Sequence, residues 1–370
     1  MSKLNVPFFE YPRLWSDDRK DLLAIIDEVS STGGFILQKA VSEFETQLAE
    51  YTGVNFSVGV GNATDGMEIF LEAIGINPGD EIIISSHTML ATASAIKIAG
   101  GIPVPVDIGE DNLISVEAIT ESITTNTVGI MPTQLNGRIC DMDSILALAD
   151  KHSLFVVEDA AQALGSTYKG KHAGTFGLAS DISFYPAKVV GCLGDAGAVL
   201  VNDTALYHKI YQLHDHGRDL DGEVKSWGRN SRLDNIQAAI LSYKLNSYHE
   251  VIARRREIAQ IYQDHLSELE ELQLPPGPQT DNDRFDIYQN YELQADNRDG
   301  LKLHLSGKGI GTLIQWGGTA IHQYINLGFN QNCPNADKFF DRCIMLPMNN
   351  FISNDDVNYV CESVAEFYKI

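Results

Sequence analysis

Four short segments of the chain combine residue types that can bind a phosphate, hold a cationic ring and attack a carbonyl carbon. GVGNATDGMEIF, residues 59–70, reads as a strand running into a small-residue turn and then a helix. Such a turn exposes backbone N–H groups at the positive end of a helix, which suits a phosphate, and Thr64 adds a hydroxyl. The alternative is a plain helix cap supplied by Thr64 or Asp65. VVEDAAQALG, residues 156–165, brings an apolar strand to its end at Glu158 and Asp159. A carboxylate there can pair with a cationic ring nitrogen and keep the ring electron-withdrawing, with Gln162 reaching another edge of the same ring. The alternative is that Asp159 caps a following helix.

SDISFYPAKVVGCLGDAGAVLVND, residues 180–203, places Lys188 in a loop after Pro186 and before Gly191, Gly194 and Gly197, between two strand-like runs. A lysine enclosed in such a loop loses its charge by desolvation, and a neutral amine is the nucleophile that a Schiff base requires. Ser183 offers a hydroxyl to a phosphate. Without this context Lys188 would read as a solvated surface lysine. GRNSRLDNIQAAIL, residues 228–241, is a polar turn entering a helix, with Asn230 and Arg232 just before it; capping is a sufficient account of Asn230 alone. WGGTAIHQ, residues 316–323, carries Trp316 and His322, for which packing at a domain boundary is a sufficient account by themselves. His87 reads as a residue supporting the site from behind, and His216 as one that shapes a loop.

These groups need rigid elements behind them. From about residue 55 short β-branched runs alternate with helical stretches: SVGV, a helix over 65–74, EIIIS, a helix over 89–99, IPVPVD, TVGIMPTQ, a helix over 142–151 and LFVVEDA. That alternation predicts βαβ units and a parallel sheet, whose strand ends are where such folds place ligands. GAVLVND reads as a further strand, and residues 234–266 as a long amphipathic helical stretch. The Pro-, Asp- and Asn-rich segment 272–286 reads as a loop or boundary. A smaller α+β portion follows, with a strand at IYQNYELQ and helices over 298–308 and 355–368.

The 370 residues carry 27 basic and 50 acidic side chains, a formal charge of −23, and such a surface repels nucleic acid and anionic lipid alike. An anionic ligand must then be held by local amides and a few cations. No stretch reaches the ~18 apolar residues of a membrane span and residues 1–15 do not read as a secretory leader, so a cytoplasmic protein is expected. The five cysteines, Cys140, Cys192, Cys333, Cys343 and Cys361, are scattered and lack CxxC spacing, which predicts reduced structural thiols and neither disulfides nor a metal site. No GxGxxG follows the first strand, which argues against a nicotinamide-binding Rossmann enzyme.

Taken in order, these segments resemble the PLP-dependent sugar aminotransferases of the DegT/StrS family, which have the aspartate-aminotransferase fold, type I. The similarity runs from GGFILQKAVSEFE at 33–45 through NATDG, NPGDEIIISSHTMLATASAI, EDAAQALGS, SFYPAK, GCLGDAGA and NSRLDNIQAAIL to the LP beginning at Leu346. It implies an α/β fold: a large domain over 1–250 with a mostly parallel central sheet between helices, and a smaller C-terminal α+β domain over 251–370.

The resemblance also implies roles. Lys188 becomes the internal-aldimine lysine and then the acid/base that moves the proton between cofactor and substrate carbon. Asp159 holds the pyridine nitrogen of pyridoxal 5′-phosphate (PLP) and Gln162 the ring hydroxyl. Thr64, the backbone at Ala63 and Asp65, and Ser183 hold the phosphate, and Trp316 and His322 lie where members of the family approach the substrate. An asparagine at the position of Asn230 reaches the phosphate from the neighbouring subunit, so a homodimer with shared sites is implied. The reaction would pass an amino group, from glutamate in most of the family, through pyridoxamine phosphate (PMP) to C3 or C4 of a nucleotide-linked keto-6-deoxysugar, feeding O-antigen, other surface polysaccharide or glycosylated natural products. Two departures stand out: Met89 occupies the position of an aromatic residue that stacks on the ring, and Ala63 replaces a frequent glycine in the phosphate turn. The alternatives within the fold are a PMP-dependent sugar dehydratase, in which a histidine replaces the Schiff-base lysine, and a non-catalytic sensor or scaffold.

Overall fold

The computed structural model of the chain describes residues 6–368, so the outer ends of both expected domains, residues 1–5 and 369–370, lie outside it. Its centre is a seven-stranded sheet in the order Phe56–Val60, Gly197–Val201, Ala179–Ser183, 155–159, Thr127–Met131, Glu81–Ser85, Ile102–Val106. The strand 155–159 is interrupted at Val157. Its first half pairs with Thr127–Met131 and its second with Ala179–Ser183, which joins the two halves of the sheet. Gly197–Val201 runs antiparallel to both its neighbours, and the recorded pairs among the other strands are parallel. The mostly parallel sheet expected from the βαβ alternation is therefore present, with one strand reversed.

The alternation of side chains along these strands divides the large core into two layers. Ile83, Ile130, Val156, Ile182, Ala198 and Leu200 pack on one face. Val58, Val60, Ile82, Ile84, Val157, Val199 and Val201 pack on the other, together with Met67, Ile69 and Phe70 of the helix Ala63–Ile74 and Ala93, Ala95 and Ile96 of the helix Leu90–Ile98. Both faces are covered, which is why the strands read as nearly continuous apolar runs.

The amphipathic stretch read over 234–266 forms two helices, Asn235–Asn246 and Tyr248–Leu266, separated at Ser247, whose ψ of 11° departs from the helix. The second packs Ile258, Ala259, Tyr262 and Leu266 into a further core with the antiparallel sheet Leu272–Gln273, Tyr291–Ala295 and Cys343–Leu346 and the helices Arg298–Gly307 and Asn354–Tyr368. Val6 joins this core through a bridge to Ile310, so the start of the described chain lies against its last third. All five cysteines are buried free thiols. Among the described residues no helix is long and apolar enough to cross a membrane, and no three side chains group as metal ligands.

One buried carboxyl ties a helix to the sheet. Glu45, on Lys39–Thr52, accepts the Gly59 N–H at 2.7 Å, and burial, partly offset by that bond, raises its pKa to about 7. Because the folded value lies above the unfolded one, its stabilising contribution is full only below the ordinary carboxyl range and is lost as pH rises through about 7. Glu45→Gln is therefore expected to raise stability at about pH 8, by roughly 1 kcal/mol, and to gain nothing near pH ~4; melting curves at the two pH values check this.

Candidate active site

Residue parity brings the candidate groups together. Val157, Val199 and Ala179 face the layer that contains the helices Ala63–Ile74 and Leu90–Ile98, so the odd-numbered Asp159, Asp181 and Ser183 face it too. Glu158 points to the opposite face. There its oxygens accept the backbone N–H groups of Gly174, Phe176 and Gly177 and the Gln134 amide, which makes it a structural carboxylate.

Asp159 is buried at the end of its strand with no helix to cap. Its Oδ2 accepts the Thr92 hydroxyl at 2.6 Å and the Thr133 hydroxyl at 3.5 Å, and its Oδ1 accepts the Ala161 N–H at 3.2 Å. Thr88 bridges the two threonines at 2.8 Å each. The carboxylate is thus held in one orientation with its charge spread over several donors. Gln162 Oε1 accepts the Asn136 N–H at 2.9 Å, which orients the amide and leaves its NH2 free to donate.

At the neighbouring corner, Asn62 caps the helix Ala63–Ile74, its side chain accepting the Asp65 N–H at 2.9 Å. The cap is therefore Asn62, not Thr64 or Asp65: it is Asn62 that takes the extended conformation before the first helical residue. The Ala63 and Thr64 N–H groups have no acceptor among the described residues, whereas that of Asp65 is already used. Ala63 is the first helical residue, a position that does not need glycine. Gly197, paired with Ser183, lies so close that a Cβ there would come within 2.6 Å of the Ala63 nitrogen, and this contact seats the helix N-terminus beside Ser183.

Lys188 follows in a tight loop. Gly191 lets the loop fold back, since a Cβ there would meet the Tyr185 carbonyl at 2.7 Å. From the other core, Gln289 clamps it, accepting the Val189 N–H and donating to the Ala187 carbonyl, each at 3.0 Å. Lys188 is half-buried and forms no ion pair with any described side chain. Burial pushes its pKa below the ordinary lysine range, against the opposing pull of Asp159 and Asp181. A cavity of about 510 Å³ opens against this loop, lined among others by Phe8, Phe9, Trp15, Arg255 and Gln289.

The remaining predicted residues are placed as follows. Met89 precedes the helix Leu90–Ile98 and is 53% exposed, with no contact that fixes its side chain. Asn230 is exposed, next to Ser231, whose hydroxyl accepts the Gly61 N–H at 3.0 Å. Arg232 pairs with Asp215 at 2.9 Å. His322 and Trp316 are not brought to Lys188 by any hydrogen bond: His322 Nδ1 meets the Ser86 hydroxyl and its Nε2 meets Asp337 at 3.0 Å, while Trp316 packs against His87 and Phe340. His87 packs behind them and lies 3.4 Å from Glu292. His216 takes a left-handed φ of 56° in the loop after the helix Thr204–His214.

Sequence reading missed Thr88, Thr92, Thr133, Asp181 and Gln289. None of these carried a signal in the sequence: Asp181 lies in ASDIS, where polar residues outnumber apolar ones, and the threonines and the glutamine are ordinary members of their segments.

A combination of an enclosed amine, a hydrogen-bonded carboxylate and an open helix N-terminus can hold a phosphorylated cationic ring and a carbonyl carbon at once. Comparison with known proteins agrees. Residues 16–365 match the model of the DegT/DnrJ/EryC1/StrS aminotransferase family. The chain is 34% identical to a pleiotropic regulatory protein of Geobacillus stearothermophilus, over 99% of both chains. It is 32% identical to the dTDP-3-amino-3,4,6-trideoxy-alpha-D-glucose transaminase of Streptomyces venezuelae, over 98% of this chain and 96% of that one. Among solved structures, S. venezuelae DesV in complex with a ketimine intermediate matches with a TM-score of 0.94 at 32% identity, covering 99% of each chain. NtdA from Bacillus subtilis with bound cofactor PMP matches at 0.90 and 27% identity, covering 99% of this chain and 86% of that one. With the family model matching almost end to end and relatives 32–34% identical over nearly their whole length, the chain belongs to the DegT/DnrJ/EryC1/StrS aminotransferase family.

Proposed function

We propose that this protein is a PLP-dependent aminotransferase that passes an amino group from glutamate to C3 or C4 of a nucleotide-linked keto-6-deoxysugar. The observation that carries this reading is the hydrogen-bonded carboxylate of Asp159 and the open helix N-terminus at Ala63 on one face of the sheet, with the loop amine of Lys188 beside them, its pKa lowered by burial. When bound, the cofactor supplies an electrophilic carbon for an amine and a ring that withdraws electrons from the reacting bond.

The chain's own residues do the rest. Asp159 holds the proton on the ring nitrogen, and Gln162 donates its free amide hydrogens to the ring hydroxyl. The N–H groups of Ala63 and Thr64, with the Thr64 and Ser183 hydroxyls, receive the phosphate, and the Asp65 N–H is shared with Asn62. Met89 covers the ring with a thioether, by soft contact. Lys188 would act as the acid/base, moving the proton between the substrate carbon and the cofactor carbon that takes up the nitrogen.

Asn230 reaches the phosphate of a second copy. In support, the loop that precedes it exposes apolar side chains, with Trp227 94% and Val224 69% exposed, as a chain that pairs with another would. A nucleotide-linked substrate places the work in the cytoplasm.

The absorption spectrum of the purified protein tests this reading. A band near ~410–430 nm that moves toward ~330 nm on adding glutamate is expected, followed by amine formation on nucleotide-linked 3-keto or 4-keto sugars seen by mass spectrometry. Absence of any band after adding pyridoxal phosphate overturns it. The phosphate contacts have a separate test. Gly197→Ala pushes against the Ala63 nitrogen and is expected to weaken pyridoxamine phosphate binding about tenfold or more, read by fluorescence titration.

A further inference from the structure

Asp181 has no task in that reaction, yet it is fully buried on the same face of the sheet as Asp159. The two residues stand in register on neighbouring parallel strands, side by side. Asp159 is supplied with donors by Thr92, Thr133 and Ala161. Asp181 has none: both of its carboxyl oxygens are buried without a hydrogen-bond partner among the described residues. The charged groups that act on it are Asp159 and Glu158 from the adjacent strand and Lys188 from the loop. On its other side lies the uncharged strand Gly197–Val201, and the helix Ala63–Ile74 meets it at Gly66, one residue after Asp65.

Two adjacent carboxyls in a dry site do not both stay ionised, and the one without donors takes the proton. Burial and the neighbouring Asp159 accordingly hold Asp181 well above the usual carboxylate range.

We propose that Asp181 is a positioning residue for the cofactor ring, holding one proton beside Asp159 in the cofactor-free protein and releasing it to solvent when the cationic ring enters, so that two carboxylates then face the ring. This role rests on the cofactor reading above. It couples binding to proton release, so affinity gains up to about tenfold per pH unit for as long as Asp181 is protonated in the empty protein. It also makes the empty site costly at high pH: the folded-state pKa lies above the unfolded one, so the stability that Asp181 contributes is full only at low pH and is lost as pH rises.

The test compares the wild-type protein with Asp181→Asn, both freed of cofactor. Pyridoxamine 5′-phosphate, which forms no Schiff base with Lys188, is titrated by fluorescence between about pH 6 and pH 8, and apoprotein melting curves are recorded over the same range. The ratio of the variant's Kd to the wild-type Kd is expected to grow about tenfold across this range, while the apo variant becomes progressively the more stable of the two. A ratio that does not change with pH overturns the proposal. So does an apo variant less stable than wild type at about pH 8, which would mean an ionised Asp181 paired with Lys188. Failure of the wild-type protein to bind pyridoxamine phosphate at any pH would instead overturn the cofactor reading, and this role with it; the melting curves still report whether Asp181 carries a proton.

Discussion

Replacing Lys188 with alanine is expected to abolish transamination, lowering the single-turnover rate with glutamate by at least ~10³-fold, while the protein stays folded and still binds pyridoxamine phosphate. The reason is local. In the proposed site the phosphate would be held by the turn at Ala63 and Thr64 and by Ser183, and the ring by Asp159 and Gln162, whose own hydrogen bonds do not involve the Lys188 amine. The loop that carries Lys188 is held by Gln289 and by the close approach of Gly191 to the Tyr185 carbonyl, and both survive the substitution. What is lost is the amine of Lys188, and the other lysine that lines the same cavity, Lys244, is held by the Gly191 carbonyl. Loss of pyridoxamine phosphate binding along with the rate would show that Lys188 holds the site together as well as acting in it.

Asp159→Asn is the second large effect, an expected fall of ~10²-fold or more in kcat/KM for glutamate, about 2.7 kcal/mol of transition-state stabilisation. Asparagine keeps the shape and can still accept the Thr92 hydroxyl, but it cannot offset a charge on the ring nitrogen, so the ring withdraws electrons less strongly. Thr92→Val removes only the donor that orients the carboxylate and is expected to cost roughly tenfold. Measured side by side, the two variants separate charge from orientation: equal losses would mean that the position of Asp159, and not its ionisation, matters to the rate.

Much of this site was legible in the residues because each signal lies within one local element. A strand that ends in Glu158 and Asp159, a small-residue turn before the helix Ala63–Ile74 and a glycine-flanked Lys188 are patterns of neighbours along the chain, and backbone geometry converts them directly into a carboxylate at a strand end, an open helix N-terminus and a loop amine. The alternation of apolar runs with helical stretches foretold a mostly parallel sheet, because strands buried on both faces must be apolar throughout. The reversal of Gly197–Val201 was not legible, since parallel and antiparallel strands of equal burial look alike in sequence. Nor was the break at Ser247, an ordinary residue between two amphipathic helices.

By itself, then, the sequence determined a set of candidate residues and the local element that presents each of them. Only the tertiary structure decided what surrounds them. Thr92 and Thr133 lie 67 and 26 residues from the Asp159 they support, and Gln289 lies 102 residues from the Ala187 carbonyl it holds. Threonine and glutamine are unremarked in any helix or loop until the fold turns them toward a charge. Asp181 shows the same limit. Nothing in the mixed run ASDIS announces its burial, and its place beside Asp159 follows from the register of two strands about twenty residues apart, which is set by the packing of the whole sheet.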